Sequence, residues 1–133
     1  MTMMFRGVRG ATTVDENTAE AILSATKDLL QAMIEANDIE EDSVASVIFT
    51  TSPDLNAVFP AQAAREIGWK RTALMGAQEV DVPGGLQRCI RILIHWNTTK
   101  TLDDILHVYM RGAEKLRPDL IYPQNKIVLN GRD

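Results

Sequence analysis

Arg91 stands inside an apolar run, CIRILIHW over residues 89–96, where an unpaired guanidinium is costly to bury. On the residues alone two readings stay open. The charge is either solvated on the outer face of a half-exposed strand, or held toward an anionic ligand. Arg9, in RGVRG at 6–10, poses the same question. Glu79, in QEVDV at 78–82, offers a carboxylate that can accept a hydrogen bond from a ligand hydroxyl, or serves as an edge-strand charge. Tyr109 can donate a phenolic hydrogen bond, or pack as core with a wet tip. Phe59 before Pro60 reads as packing or as a ligand wall, and Arg65 and Arg117 read as surface charges.

These residues contain no proton-transfer machinery. No Ser-His-Asp order stands out, and Cys89 lies in the apolar run without an evident base. Glu79 and Asp81 are too close in sequence, and on one face, to flank a glycosidic bond. Gly84-Gly85 lacks both the Walker lysine-hydroxyl pair and a GxGxxG spacing. One Cys and two His, the latter twelve apart at 95 and 107, are too few for a thiolate zinc site, so no metal and no cofactor is expected. What remains is a set of arginines with one acid and one phenol. That set suits binding of a small dianion, or catalysis by shape and electrostatics alone.

The elements that must position these residues follow from periodicity. Residues 3–9 read as a first strand, with glycines that permit a close backbone approach or a bulge. Ile22, Ala25, Leu29, Leu30, Met33 and Ile34 make a helical stripe. Asn17 or Thr18 is its expected cap, Glu20 completes a capping box from Asn17, and Asn37-Asp38 ends it. VASVIFTT at 44–51 reads as a buried strand, and a short helix follows Pro60 and stops at Gly68. Residues 72–75 form a short strand and 83–85 a turn. In 89–96 alternation puts Arg91, Leu93 and His95 on one face and Ile90, Ile92 and Ile94 on the other. A last strand or strand pair is expected over 106–116. Several connections are too short for helical crossovers, which favours an α+β fold: one mixed β-sheet packed against a long helix. The sheet's other face then needs cover, and a partner subunit can supply it.

The chain has 133 residues, of which 45% are hydrophobic and 24% charged. That is ordinary globular composition for one domain. A single domain is expected over 1–120, with a tail over 121–133 that has no clear period and is open to partial mobility. The net charge of −4 excludes a general nucleic-acid binder held by a positive field. Residues 15–42 carry nine acids against Lys27 alone, a local −8, so the rest of the chain is at +4. Nine of the fourteen bases are arginines, whose planar fork fits carboxylates and phosphates. No apolar stretch approaches the roughly 18 residues of a membrane span, and the first residues lack the apolar segment of a signal peptide. A cytoplasmic protein with no membrane and no nucleic-acid partner is expected.

Six blocks, in order, resemble the AroH class of monofunctional chorismate mutases. They are RGVRGATTV at 6–14, PDLNAVFPA at 53–61, QEVDV at 78–82, GGL at 84–86 with CIR at 89–91, HVY at 107–109, and LRPDL at 116–120. The resemblance implies a pseudo α/β-barrel homotrimer with active sites in the clefts between subunits. It implies the cofactor-free [3,3] rearrangement of chorismate to prephenate. It assigns Arg91 to the breaking ether oxygen and the side-chain carboxylate, Arg9 and Tyr109 to that carboxylate, and Glu79 to the ring hydroxyl. Phe59 becomes a cleft wall, with Arg65, Leu116 and Arg117 peripheral to it. Gln62 stands where a lysine often lines the entrance, and Met75 and Gly76 stand where a threonine and a cysteine are familiar. A backbone N–H contact at that point survives in Gly76. The segment 66–69 is one residue shorter than the familiar version. A different class of function, a non-catalytic trimeric binder of small dicarboxylates, is motivated by Met75 and Gly76. A purely structural oligomer with solvated arginines is a third reading.

Overall fold

The structure is a computed structural model, and it describes residues 2–120. The tail over 121–133 lies outside the described residues. Five strands form one mixed sheet: β1 (Met4–Thr13), β2 (Val44–Thr51), β3 (Ala73–Gln78), β4 (Cys89–Thr98) and β5 (Val108–Tyr109), in the order β3-β2-β4-β1-β5. β4 is antiparallel to both β1 and β2, whereas β2–β3 and β1–β5 are parallel pairs. The α+β expectation holds.

The long helix α1 (Ala19–Asn37) covers one face of this sheet. Its stripe of Leu29, Leu30 and Met33 packs with Val8, Val47, Phe49, Ile92, Ile94 and Trp96. Ile22 and Ala25 join Val14, Leu55 and Ile90 in a second cluster. Thr18 is the cap: its side chain accepts from the Ala21 N–H at 3.1 Å. Glu20 therefore falls at the second helical position, and no capping box forms from Asn17. Asn17 instead accepts from the backbone N–H groups of Asn56 and Ala57, pinning the loop after β2 beside the helix start. The acids of α1 and its flanks are mainly exposed, as their positions off the stripe require.

Several boundaries differ from those the sequence predicts, among them β4, which runs on to Thr98, and the short helix after Pro60, which ends at Glu66. β1 runs on to Thr13, because its ladder with β4 continues to the Thr13–Cys89 pair. β3 runs to Gln78, held by parallel pairing to β2 as far as Thr51. The expected strand over 106–116 shrinks to Val108–Tyr109. The chain leaves the sheet at Arg111, which has a φ of +53°, and winds into a 3-10 helix over Arg111–Lys115. The Gly112 N–H donates to Thr13 Oγ1, and Ala113 buries against Tyr109 and Ala11. These tertiary contacts outweigh the weak strand preference of Ala-Glu-Lys. The short helix α2 (Gln62–Glu66) follows Pro60 as expected.

At Gly10 β1 lies close against α1: a Cβ there would overlap Met33 Sδ and meet Leu29 Cδ1 at 3.1 Å. Gly10→Ala is expected to lower unfolding free energy by about 1–3 kcal/mol through overpacking. Urea unfolding measures this, and an unchanged midpoint would remove the close approach as a constraint.

Candidate active site

The uncovered face of the sheet carries the site. Alternation in β4 turns Arg91, Leu93 and His95 away from α1, while Ile90, Ile92 and Ile94 are buried beneath it. Ladder pairing sets Arg91 beside Ala11 of β1 and Thr50 of β2, and Ala11 in turn beside Tyr109 of β5. A cavity of about 230 Å³ opens on this face, and its walls include Arg9, Thr50, Glu79, Arg91 and Tyr109. Four residues from four separate stretches of sequence, Arg9, Glu79, Arg91 and Tyr109, thus share one concavity. Glu79 lies one residue beyond β3, so Glu79 and Asp81 are not successive strand positions. Its backbone N–H donates to the Thr51 carbonyl at 2.9 Å, and its Oε2 accepts from Thr50 Oγ1 at 2.5 Å.

Arg91 is half-buried, and its Nε–H is the one buried side-chain polar group without a partner among the described residues. The nearest carboxylate oxygen, Glu79 Oε2, is 3.8 Å away, beyond hydrogen-bonding reach. A buried donor left open in a native fold calls for an explanation, and a ligand acceptor is the usual one. Cys89, two residues earlier, is also buried; burial pushes its thiol pKa up, and the neighbouring Arg91 charge only partly opposes this. Burial thus favours the protonated thiol, the weaker nucleophile.

His107 braces the other side. Its Nδ1 accepts from the Arg9 backbone N–H at 3.0 Å, which places the ring proton on Nε2 in the neutral imidazole. Burial, then the charges of Arg9 and Arg117, push its pKa down to about 4. Behind it Leu116 packs against the cluster of Ala11, Tyr109 and Ala113, and Arg117 pairs with Asp119 at 2.9 Å.

The remaining sequence candidates are not brought to this cavity in one chain. Phe59, 78% exposed, and Gly76 line a separate cavity of about 570 Å³ on the β3 side. Met75 is on the uncovered face beside Ile48, 65% exposed. Arg65 is exposed on α2. Thr50 and His107 were not assigned site roles by the sequence reading. The polar Thr50, two positions after Ile48 in an alternating strand, was the available signal for the first. His107 lay inside the HVY block and had no local signal of its own. Among the described residues no group of three or more His, Cys, Asp or Glu is placed to hold a metal, and no helix is long and apolar enough to cross a membrane.

This combination defines a class: a small α+β protein with an arginine-lined cleft on an uncovered sheet face, suited to a compact dianion. Comparison with known proteins narrows it. The family model "Chorismate mutase type I" matches residues 5–120. Chorismate mutase AroH of Thermus thermophilus is 54% identical over 118 residues, covering 88% of this chain and 97% of that protein. Chorismate mutase AroH of Bacillus subtilis (strain 168) is 46% identical over 124 residues, 92% of this chain and 98% of its own. The solved structure of a chorismate mutase from Clostridium thermocellum matches with a TM-score of 0.82 at 53% identity, over 83% of this chain and 98% of that one. The chain belongs to the type I chorismate mutase family.

The raised thiol pKa and burial of Cys89 predict slow alkylation. Iodoacetamide at mildly basic pH is expected to label the native protein far more slowly than the urea-unfolded chain. Equal rates, read by mass spectrometry, would show an accessible thiolate instead.

Proposed function

We propose that this chain is a chorismate mutase, converting chorismate to prephenate on the route to phenylalanine and tyrosine. The reaction breaks an ether C–O bond and forms a C–C bond within one molecule, so no group of the protein needs to gain or lose a proton. The enzyme must hold the enolpyruvyl side chain over the ring and meet negative charge growing on the ether oxygen. The observation that carries the proposal is the buried, unpartnered Nε–H of Arg91 at the wall of a cavity that also presents Arg9, Glu79 and Tyr109.

In this reading Arg91 donates to the ether oxygen and the side-chain carboxylate. Arg9 and Tyr109 hold that carboxylate, and Glu79 accepts from the ring hydroxyl. A donor preorganised in a sheltered cleft stabilises developing charge without waiting for solvent to reorient. Fixing the side chain over the ring supplies the near-attack geometry. His107 keeps Arg9 in register by a neutral acceptor, so it holds its place without adding charge. Phe59, Met75, Gly76, Arg65, Leu116 and Arg117 complete the cleft in the same proposal.

A homotrimer with clefts between subunits is part of it. Phe5, Met75 and Phe59 are large apolar side chains left exposed on the uncovered face or at the β3 edge, and apolar surface of this kind suits a subunit contact. A neighbouring copy would cover them and bring a Phe59–Gly76 half-site against an Arg91 half-site. Sedimentation at micromolar concentration is expected to give three times the monomer mass. A monomer with full turnover would remove the shared cleft. A cytoplasmic location belongs to the proposal too, and suits a lone buried thiol.

Purified protein should consume chorismate in the presence of a chelator. Arg91→Ala is expected to lower kcat by about 10²–10³, or ~3–4 kcal/mol, with the oligomer intact. Calorimetric binding of chorismate without prephenate formation would favour a dicarboxylate binder instead. With His107 pushed down to about 4 and burial raising the Cys89 thiol above its ordinary value, neither group changes charge appreciably between pH 6 and 8. The rate is therefore expected to be flat there and to fall as pH drops toward 4, where His107 gains a proton and loses its acceptor.

A further inference from the structure

A carboxylate 3.8 Å from an open guanidinium N–H is unusual because opposite charges this near normally close to hydrogen-bonding distance. A charge-assisted N–H···O bond settles at about 2.7–2.9 Å, so Glu79 Oε2 stands roughly one ångström short of Arg91 Nε. Attraction between opposite charges rises as they approach, and more so where water is scarce. Something holds the carboxylate back, and two contacts do. The Glu79 backbone N–H is tied to the Thr51 carbonyl at 2.9 Å, fixing where the side chain starts. Thr50 Oγ1 then donates to the same Oε2 that would otherwise reach Arg91, at 2.5 Å. Thr50 and Arg91 are ladder partners on β2 and β4, so their side chains rise side by side from the uncovered face.

We infer that Thr50 is a positioning residue that holds Glu79 off Arg91, keeping the Arg91 Nε–H open for the ligand and Glu79 Oε1 turned to a ligand hydroxyl. Without the Thr50 hydroxyl, Glu79 swings onto Arg91 and the two charges satisfy each other. The cleft then loses both its donor and its acceptor, although every charged residue is still present. A ligand anion must displace an internal carboxylate before it can bind. The inference rests on the proposed role of Arg91 for its catalytic consequence, but not for its geometric one.

Thr50→Val keeps the shape and removes the donor; Thr50→Ser keeps the donor; Thr50→Ala is a second deletion in case valine perturbs folding. Loss of a hydrogen bond to a charged group corresponds to about ten- to a hundredfold. That drop is expected in chorismate kcat/KM for the Val and Ala variants, with the serine variant within about threefold of wild type. In a Glu79→Gln background, Thr50→Val is expected to change the rate by less than about threefold, because an amide carries no charge to trap Arg91. The second readout is the Arg91 Nε–Hε resonance in nitrogen-15 spectra of the ligand-free protein. It should shift and gain protection from solvent exchange in Thr50→Val, as a bond to Glu79 forms, and stay as wild type in Thr50→Ser. An unmoved resonance in both deletion variants overturns the inference, as does an equal loss of rate in the serine and valine variants. If wild type turned over no chorismate, the proposed activity would fall, while the Nε–Hε shift would still decide what Thr50 does.

Discussion

The structure depends on one constraint: a permanently charged side chain stands at the centre of a five-stranded sheet, and its inner nitrogen has no hydrogen-bond partner among the described residues. Burying a donor without an acceptor costs on the order of 1–3 kcal/mol, so the fold must over-determine Arg91 to keep it there. It does so by pairing β4 on both sides, with β1 through ten residue pairs and with β2 along most of its length. A central strand cannot shift its register by one residue without turning Ile90, Ile92 and Ile94 out of the core. The apolar half of β4 therefore fixes where the charged half points. Stability on the α1 side underwrites an unsatisfied group on the other.

The remaining polar residues extend that logic outward. Each is anchored by its backbone to a strand neighbour before its side chain enters the cavity. Tyr109 pairs with Ala11, Arg9 is tied to His107, and Glu79 is tied to Thr51. Positioning through backbone ties costs little side-chain freedom at the moment of binding. It also explains why so short a strand as β5 persists. Two residues of parallel pairing would be weak alone, but the His107 bond adds a rung before them and the Gly112–Thr13 bond adds one after. The element that carries Tyr109 is thus held at both ends by contacts outside regular strand pairing.

Much of this was legible in the sequence, and the parts that were not share a physical cause. Period-two alternation in 89–96 put Arg91 on a different face from its isoleucines, and the 3.6 stripe of α1 gave the covering helix, because both patterns record burial of whole faces. β5 is shorter than the 106–116 pattern suggests because strand preference there loses to tertiary contacts made by Gly112 and Ala113, which no local window contains. Glu79 was placed in an alternating strand, yet it acts from just past the strand end, where backbone pairing to Thr51 sets its direction. Thr50 shows in the sequence only as a polar residue in an alternating strand, because its role is defined by a carboxylate 29 residues away. Phe59 and Gly76 fall outside the Arg91 cavity of their own chain, a separation that only three-dimensional placement reveals.

Charge follows the same division between faces. The acid-rich segment 15–42 is mainly α1 and its flanks, most of its carboxylates exposed to solvent, while Arg9 and Arg91 line the cavity on the sheet face that α1 leaves uncovered. The helix and the sheet core stand between these acids and the cleft, so the acids lie apart from the surface that a bound anion touches. A negative body also disfavours nonspecific capture of large polyanions, whose charges must spread over a wide surface. A compact dianion meets only the cleft, where positive groups dominate at short range. The negative net charge and the positive site are therefore not in conflict. The total acts on large partners at a distance, and the segregation decides what a small anion meets in contact.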